Sequence, residues 1–218
     1  MDDFSPGYAR SGARARSETA TLLGQVMFLV AVALGFMTGG AFIGQDLSQG
    51  TAFICFLVGF GMLLVQSFGG ERFRVGTLAI GWLYAIALLI GLGIGPTINY
   101  FLENDGTVVT QAAGATALIV LGMGSAGFAM SKDLSGWMRP LSFVILGCVV
   151  VSFVMLLFAS GGNPILSAII AIVSALLIMV DFNYLRQHGT EADAVWLATG
   201  IFVSIVNIFL SLLNLFGD

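Results

Sequence analysis

Charge is scarce in this chain. Eight Lys and Arg and twelve Asp and Glu make up 9% of 218 residues, where soluble domains carry roughly a quarter. So few charged groups cannot coat a water-facing globule of this size, which excludes an ordinary soluble domain. Histidine occurs once, as His188, and lysine once, as Lys132. Both cysteines, Cys55 and Cys148, sit inside long apolar runs, where a free thiol behaves as a small hydrophobe. Neither a disulfide framework nor a zinc site is expected. The net charge of −4 and the pI near 4.7 argue against nucleic acid, which needs a basic patch.

What is abundant is apolar: 58% hydrophobic residues and a mean hydropathy of +1.00. Seven stretches are long enough to cross a bilayer as helices: Leu22–Ile43, Thr51–Phe68, Gly76–Ile98, Val108–Met130, Pro140–Ala159, Pro164–Asn183 and Ala194–Phe216. They are continuously apolar instead of alternating, which favours helices over barrel strands. The expected fold is an all-α membrane protein, a seven-helix bundle occupying residues 22–218. Short connectors make consecutive helices antiparallel neighbours. Pro140 and Pro164 suit first helical turns, and Gly69-Gly70 and Gly161-Gly162 suit helix ends. Pro96 is expected to kink or end the third helix. Residues 1–21, rich in Ser, Gly and Arg, suggest a flexible tail. The apolar run after them is too long for a cleavable leader and fits a first span better.

All eight basic residues lie in segments 1–21, 69–75, 131–139 and 184–193, while Asp46, Glu103, Asp105 and Asp218 fall in the alternate connectors. The positive-inside rule then places the N-terminus in the cytoplasm and the C-terminus outside, which requires an odd number of spans.

Asp181 is the one charged residue within a span. Ser174 and Ser167 precede it at intervals of two turns, so the three share a face of the sixth helix. The last helix repeats the device with Gly200, Ser204, Asn207, Ser211 and Asn214. Such seams turn toward protein or water, and they serve either as a polar path or as interhelical hydrogen-bonding glue. An intramembrane carboxylate is costly and marks a candidate proton-titrating gate, with Arg72 and Arg74 as possible charge partners. Gly35-x-x-x-Gly39, Gly40-x-x-x-Gly44 and Gly91-x-x-x-Gly95 are spacings that allow close helix approach. Catalysis finds no support. No span supplies a histidine base for an intramembrane serine protease, no HExxH pair exists for a metalloprotease, and no lysine sits in the last helix to hold retinal. No motif calls for a cofactor, and no set of metal ligands can be assigned.

Three stretches resemble a known family. Gly91-Leu-Gly-Ile-Gly-Pro-Thr-Ile-Asn-Tyr-Phe-Leu, Ala113-Gly-Ala-Thr-Ala-Leu running on to Ser131-Lys-Asp-Leu-Ser, and Phe202-Val-Ser-Ile-Val-Asn-Ile-Phe-Leu-Ser-Leu-Leu are similar to the Bax inhibitor-1 (TMBIM) family, above all to its bacterial YccA-like branch. The likeness covers about residues 75–216. It implies six helices around a central, C-terminal seventh. It also implies a bacterial inner-membrane protein that is either a pH-sensitive calcium leak or a modulator of a membrane-anchored AAA protease of the FtsH type. Better-studied members carry two aspartates that share a proton. Asp181 matches the first, and Ser204, which cannot ionise near neutral pH, stands at the second. On that reading Asp181 is the gate, and Ser167, Ser174, Ser204, Asn207, Ser211 and Asn214 are the polar lining. The partners implied are the bilayer, calcium or protons, and, for a modulator, the protease. A structural membrane component with a merely packed seam remains the plainer alternative.

Overall fold

The computed structural model describes residues 6–158 and 163–217. The long helices are α1 (Pro6–Gly44), α2 (Gln49–Phe68), α3 (Thr77–Ala129), α4 (Met138–Phe158), α5 (Pro164–Gln187) and α6 (Ala194–Gly217), with 3-10 turns at Glu71–Phe73, Ser135–Trp137 and Glu191–Asp193. No strand occurs among the described residues. Six of these helices are long and apolar enough to cross a membrane.

Local chemistry explains most of the boundaries. Ser48 caps α2 by accepting from Thr51 N. Asn163 caps α5 by accepting from Ile165 N and Leu166 N, with Pro164 in the first turn, where its missing N–H costs nothing. Gly69 ends α2 by donating to Val65 O, and Gly70 follows at φ 80°. Pro140 falls in the first turn of α4. The expected end of the fifth run at Ala159 and the Gly161-Gly162 pair lie outside the described residues. Helix α1 begins at Pro6, and its part long and apolar enough to cross a membrane is Ser17–Gly44.

The third and fourth runs share one element. Helix α3 passes through Pro96 without ending, and its interruption is Asp105, at φ −154° and ψ 85°. The expected connector over residues 99–107 is thus reduced to a one-residue break. The local side chains account for this. Asp105 Oδ1 accepts from Thr107 N at 3.0 Å and from Thr107 Oγ1, capping the helix that restarts there. Asn104 Nδ2 returns to Tyr100 O at 2.7 Å, covering a carbonyl of the turn that finishes.

The two ends of α3 reach the same part of α5. Arg74 and Val75, just before α3, share a pocket with Tyr184 and Trp196, while Met130 O and Lys132 O, just after it, accept from Asn183. A straight helix of 53 residues would separate its ends by about 80 Å.

Helix α1 packs against the first half of α3 through glycine. A Cβ on Gly91 would strike Met37 O; one on Gly40 would meet Leu88 O at 2.5 Å, on Gly44 Leu92 O at 2.6 Å, and on Gly95 Ala41 O at 2.6 Å. Two of the three small-residue spacings therefore mediate contact. The third does not, because Gly35 and Gly39 have open space around them. The core gathers around α6, where Leu197, Ala198, Ile201, Phe202, Ile208 and Leu213 are essentially inaccessible. Helix α6 is the most enclosed of the six, while among the described residues α4 has no buried side chain. Phe28, Phe42, Leu118, Phe143 and Ile172 face outward, an arrangement whose natural solvent is lipid.

Candidate functional site

Helices α5 and α6 bring their polar seams together, and the seam divides into two unlike halves. Toward the break in α3, Asn214 Nδ2 donates to Ser167 Oγ at 2.8 Å. There Ser167, Asn207 and Ser211 border a cavity of about 920 Å³, walled by Phe53, Phe56, Pro96, Thr97, Tyr100 and Ser152 among others. Toward the basic end the seam is closed. Ser174, Ser204 and Asp181 are buried, at 0%, 3% and 6% exposure, and none of them lines the cavity. The Ser174 hydroxyl is buried without a partner among the described residues.

Asp181 lies against the backbone of α6. A Cβ on Gly200 would sit 3.2 Å from Asp181 Oδ2, so the absence of a side chain at Gly200 is what admits the carboxyl. Among the described residues no ion pair or hydrogen bond reaches Asp181. Neither arginine named as a possible partner pairs with it among the described residues: Arg74 Nη2 donates to Ser67 O, and Arg72 is exposed. Ser204 lies one turn beyond Gly200 on α6. Asp181 thus meets a glycine on α6, and among the described residues no ion pair joins it to a second ionisable group.

Two polar residues that the sequence reading passed over have larger structural roles than most of the seam. Gln66, 2% exposed in the last turn of α2, donates through Nε2 to Thr199 Oγ1 at 3.0 Å, and Thr199 in turn donates to Val195 O. Asn183, fully buried, donates through Nδ2 to Gly127 O, Met130 O and Lys132 O, and accepts from Leu134 N at 2.9 Å. The available signal was of the kind that singled out Asp181: a polar side chain within or closing an apolar run.

A family model described as inhibitor of apoptosis-promoting Bax1 matches residues 19–218. The chain belongs to the Bax inhibitor-1 family. Relatives of this family protein include an uncharacterized protein of Pseudomonas aeruginosa, 28% identical over 207 residues, or 92% of this chain and 90% of the relative. A membrane protein of Vibrio cholerae is 28% identical over 62% of each chain. A modulator of FtsH protease, YccA of Escherichia coli, is 28% identical over 62% of each chain.

At the basic end of this Bax inhibitor-1 protein, the loop after α3 is tied down by α5. Besides Asn183, Arg186 Nη2 donates to Met130 O at 2.7 Å and Gln187 Nε2 to Lys132 O at 3.1 Å. At the surface His188 Nε2 meets Asp133 Oδ2 at 2.9 Å. The Ser135 amide, then His188, holds Asp133 below the usual carboxylate range. An acid that loses its proton more readily folded than unfolded stabilises the fold fully above the ordinary carboxylate range. That stabilisation fades as the pH falls through and below that range. Acidification should therefore loosen residues 131–135 first. Protection factors at those amides, which correct for the intrinsic pH dependence of exchange, should fall more steeply with falling pH in the native protein than in Asp133→Asn, and equal slopes would assign the loop's hold to Asn183, Arg186 and Gln187.

Proposed function

We propose that this membrane protein is a weak, proton-modulated cation leak, with calcium as the ion, closed at Asp181. The observation that carries the reading is the divided seam: a cavity bordered by Ser167, Asn207 and Ser211 on one side, and a packed stretch of Ser174, Ser204 and Asp181 on the other. A polar path open at one end and shut at an ionisable group has the parts of a gated pore, a vestibule followed by a constriction. The reading includes seven crossings, with α3 crossing twice about Asp105 and α6 at the centre of the other six. The meeting of both α3 ends at one part of α5 supports it. It further places the chain in a bacterial inner membrane, with a cytoplasmic N-terminal segment (residues 1–21) and the C-terminus outside, in keeping with the basic residues at the Asp181 end.

Liposomes carrying the purified protein and a calcium gradient should lose the gradient faster than protein-free liposomes, with a rate that depends on pH. Asp181→Asn should keep the fold and abolish that pH dependence. Flux at the protein-free level from a protein with intact helical circular dichroism refutes the leak.

The named activity of the Escherichia coli relative favours a second reading, as a regulator of a membrane-anchored AAA protease of the FtsH type. In that reading residues 1–21 are the contact. The full chain should copurify with such a protease, and a chain lacking residues 1–21 should not. Unchanged capture by the shortened chain removes the N-terminal segment as the contact.

A further inference from the structure

A pocket of about 290 Å³ at the basic end is independent of the seam. It lies between the segment joining α2 to α3 and the turn joining α5 to α6, and it is lined by Arg74, Val75, Tyr184, Ala192, Asp193 and Trp196. Two of these are charged, and they are of opposite sign. Nevertheless, among the described residues no ion pair joins Arg74 to Asp193. Opposite charges facing one small space would ordinarily close on each other, unless each is held back. Each is held. Arg74 Nη2 is fixed on Ser67 O, while its buried Nε has no acceptor among the described residues. Asp193 is fixed by the capping box of the last turn, where Thr190 N and Thr190 Oγ1 both donate to Oδ2, at 3.0 and 2.6 Å. Oδ1 is left without a partner among the described residues. The rings of Tyr184 and Trp196 share the lining, edge to face with centroids 5.6 Å apart, and Val75 and Ala192 are its exposed members.

We infer that this pocket binds the headgroup of a phospholipid bearing a primary ammonium, such as phosphatidylethanolamine, drawn from the adjacent leaflet. The phosphate takes N–H donors on the terminal nitrogens of Arg74 that Ser67 O leaves free. The ammonium, two carbons away, lies against Asp193 Oδ1 and the face of the Trp196 or Tyr184 ring, where a cation is attracted to the π-cloud. The position suits a lipid: the pocket sits at the ends of the spanning helices, the depth at which Trp and Tyr concentrate and headgroups lie. Its apolar rim gives the acyl chains a way out. An anionic glycerol headgroup satisfies Arg74 and leaves Asp193 facing more negative charge. A choline headgroup carries the cation without N–H donors for Oδ1.

The test is native mass spectrometry of the full-length, delipidated protein. It is titrated with phosphatidylethanolamine, phosphatidylglycerol and phosphatidylcholine of identical acyl chains. The ethanolamine lipid should bind about tenfold more tightly than either of the others, a difference of ~1.4 kcal/mol. Asp193→Asn keeps an oxygen for the Thr190 cap and removes the charge, and it should erase that preference. Arg74→Gln should weaken ethanolamine and glycerol lipids alike. Water-soluble phosphoethanolamine in excess should compete only weakly, since it brings no acyl chain. Equal binding of the three lipids, preference for the glycerol lipid, or an unchanged preference in Asp193→Asn overturns the inference. Full displacement by soluble phosphoethanolamine overturns the lipid as its source.

Discussion

Replacing Asn183 with leucine should cost about 3 kcal/mol of stability, of the order of a buried donor and acceptor losing their partners together. The reason is the number of groups that depend on one side chain. Asn183 Nδ2 serves Gly127 O, Met130 O and Lys132 O, and Oδ1 receives Leu134 N. Arg186 and Gln187 also reach Met130 O and Lys132 O, so those carbonyls keep a donor in the variant. Gly127 O and Leu134 N lose theirs. Asn183→Asp separates hydrogen bonding from shape. It keeps the acceptor for Leu134 N but turns the Nδ2 donor into a second oxygen facing three carbonyls, so it should be at least as destabilising as leucine. Thermal unfolding in detergent, followed by circular dichroism, reads both. An Asn183→Asp protein as stable as the parent would mean that the carbonyls at the end of α3 do not need the amide.

Gly91→Val should be comparably damaging, at about 3 kcal/mol, while Gly35→Val should change stability by less than about 0.5 kcal/mol. Both glycines belong to the same kind of i, i+4 spacing, and the sequence does not distinguish them. At Gly91 a Cβ would strike Met37 O, whose backbone cannot move without displacing α1; at Gly35 nothing lies within 4 Å. Membrane helices gain much of their association from close packing, because lipid is as apolar as their side chains. A valine wedge at Gly91 therefore forces α1 away from α3 and removes contacts along Gly40, Gly44 and Gly95 together. Equal melting temperatures for Gly91→Val and the parent would show that the α1–α3 interface is not as close as described.

The same contrast marks how far the sequence reaches. The membrane class, the helical content, Pro164 in a first turn, Gly69 at a helix end and the family were legible in the chain. Each follows from composition, from run length, or from residues within a few positions of one another, and local physics needs nothing further. The spacing of Ser167, Ser174 and Asp181 likewise follows from 3.6 residues per turn. The expected connector between the third and fourth runs was only partly legible. The polar and turn-prone residues between Asn99 and Thr107 suggested a loop, yet Asn104 and Asp105 cap both sides so closely that a single residue leaves the helix. Tertiary structure alone decided which glycines touch a neighbour, that Asp181 rests on Gly200 instead of pairing with Arg72 or Arg74, and that the seam borders a cavity at one end only. It alone made Asn183 a clamp and set Arg74 across a pocket from Asp193. Those outcomes depend on how helices distant in the chain are rotated and spaced against each other. A pattern along one helix fixes which residues share a face, but what that face meets depends on the other helices.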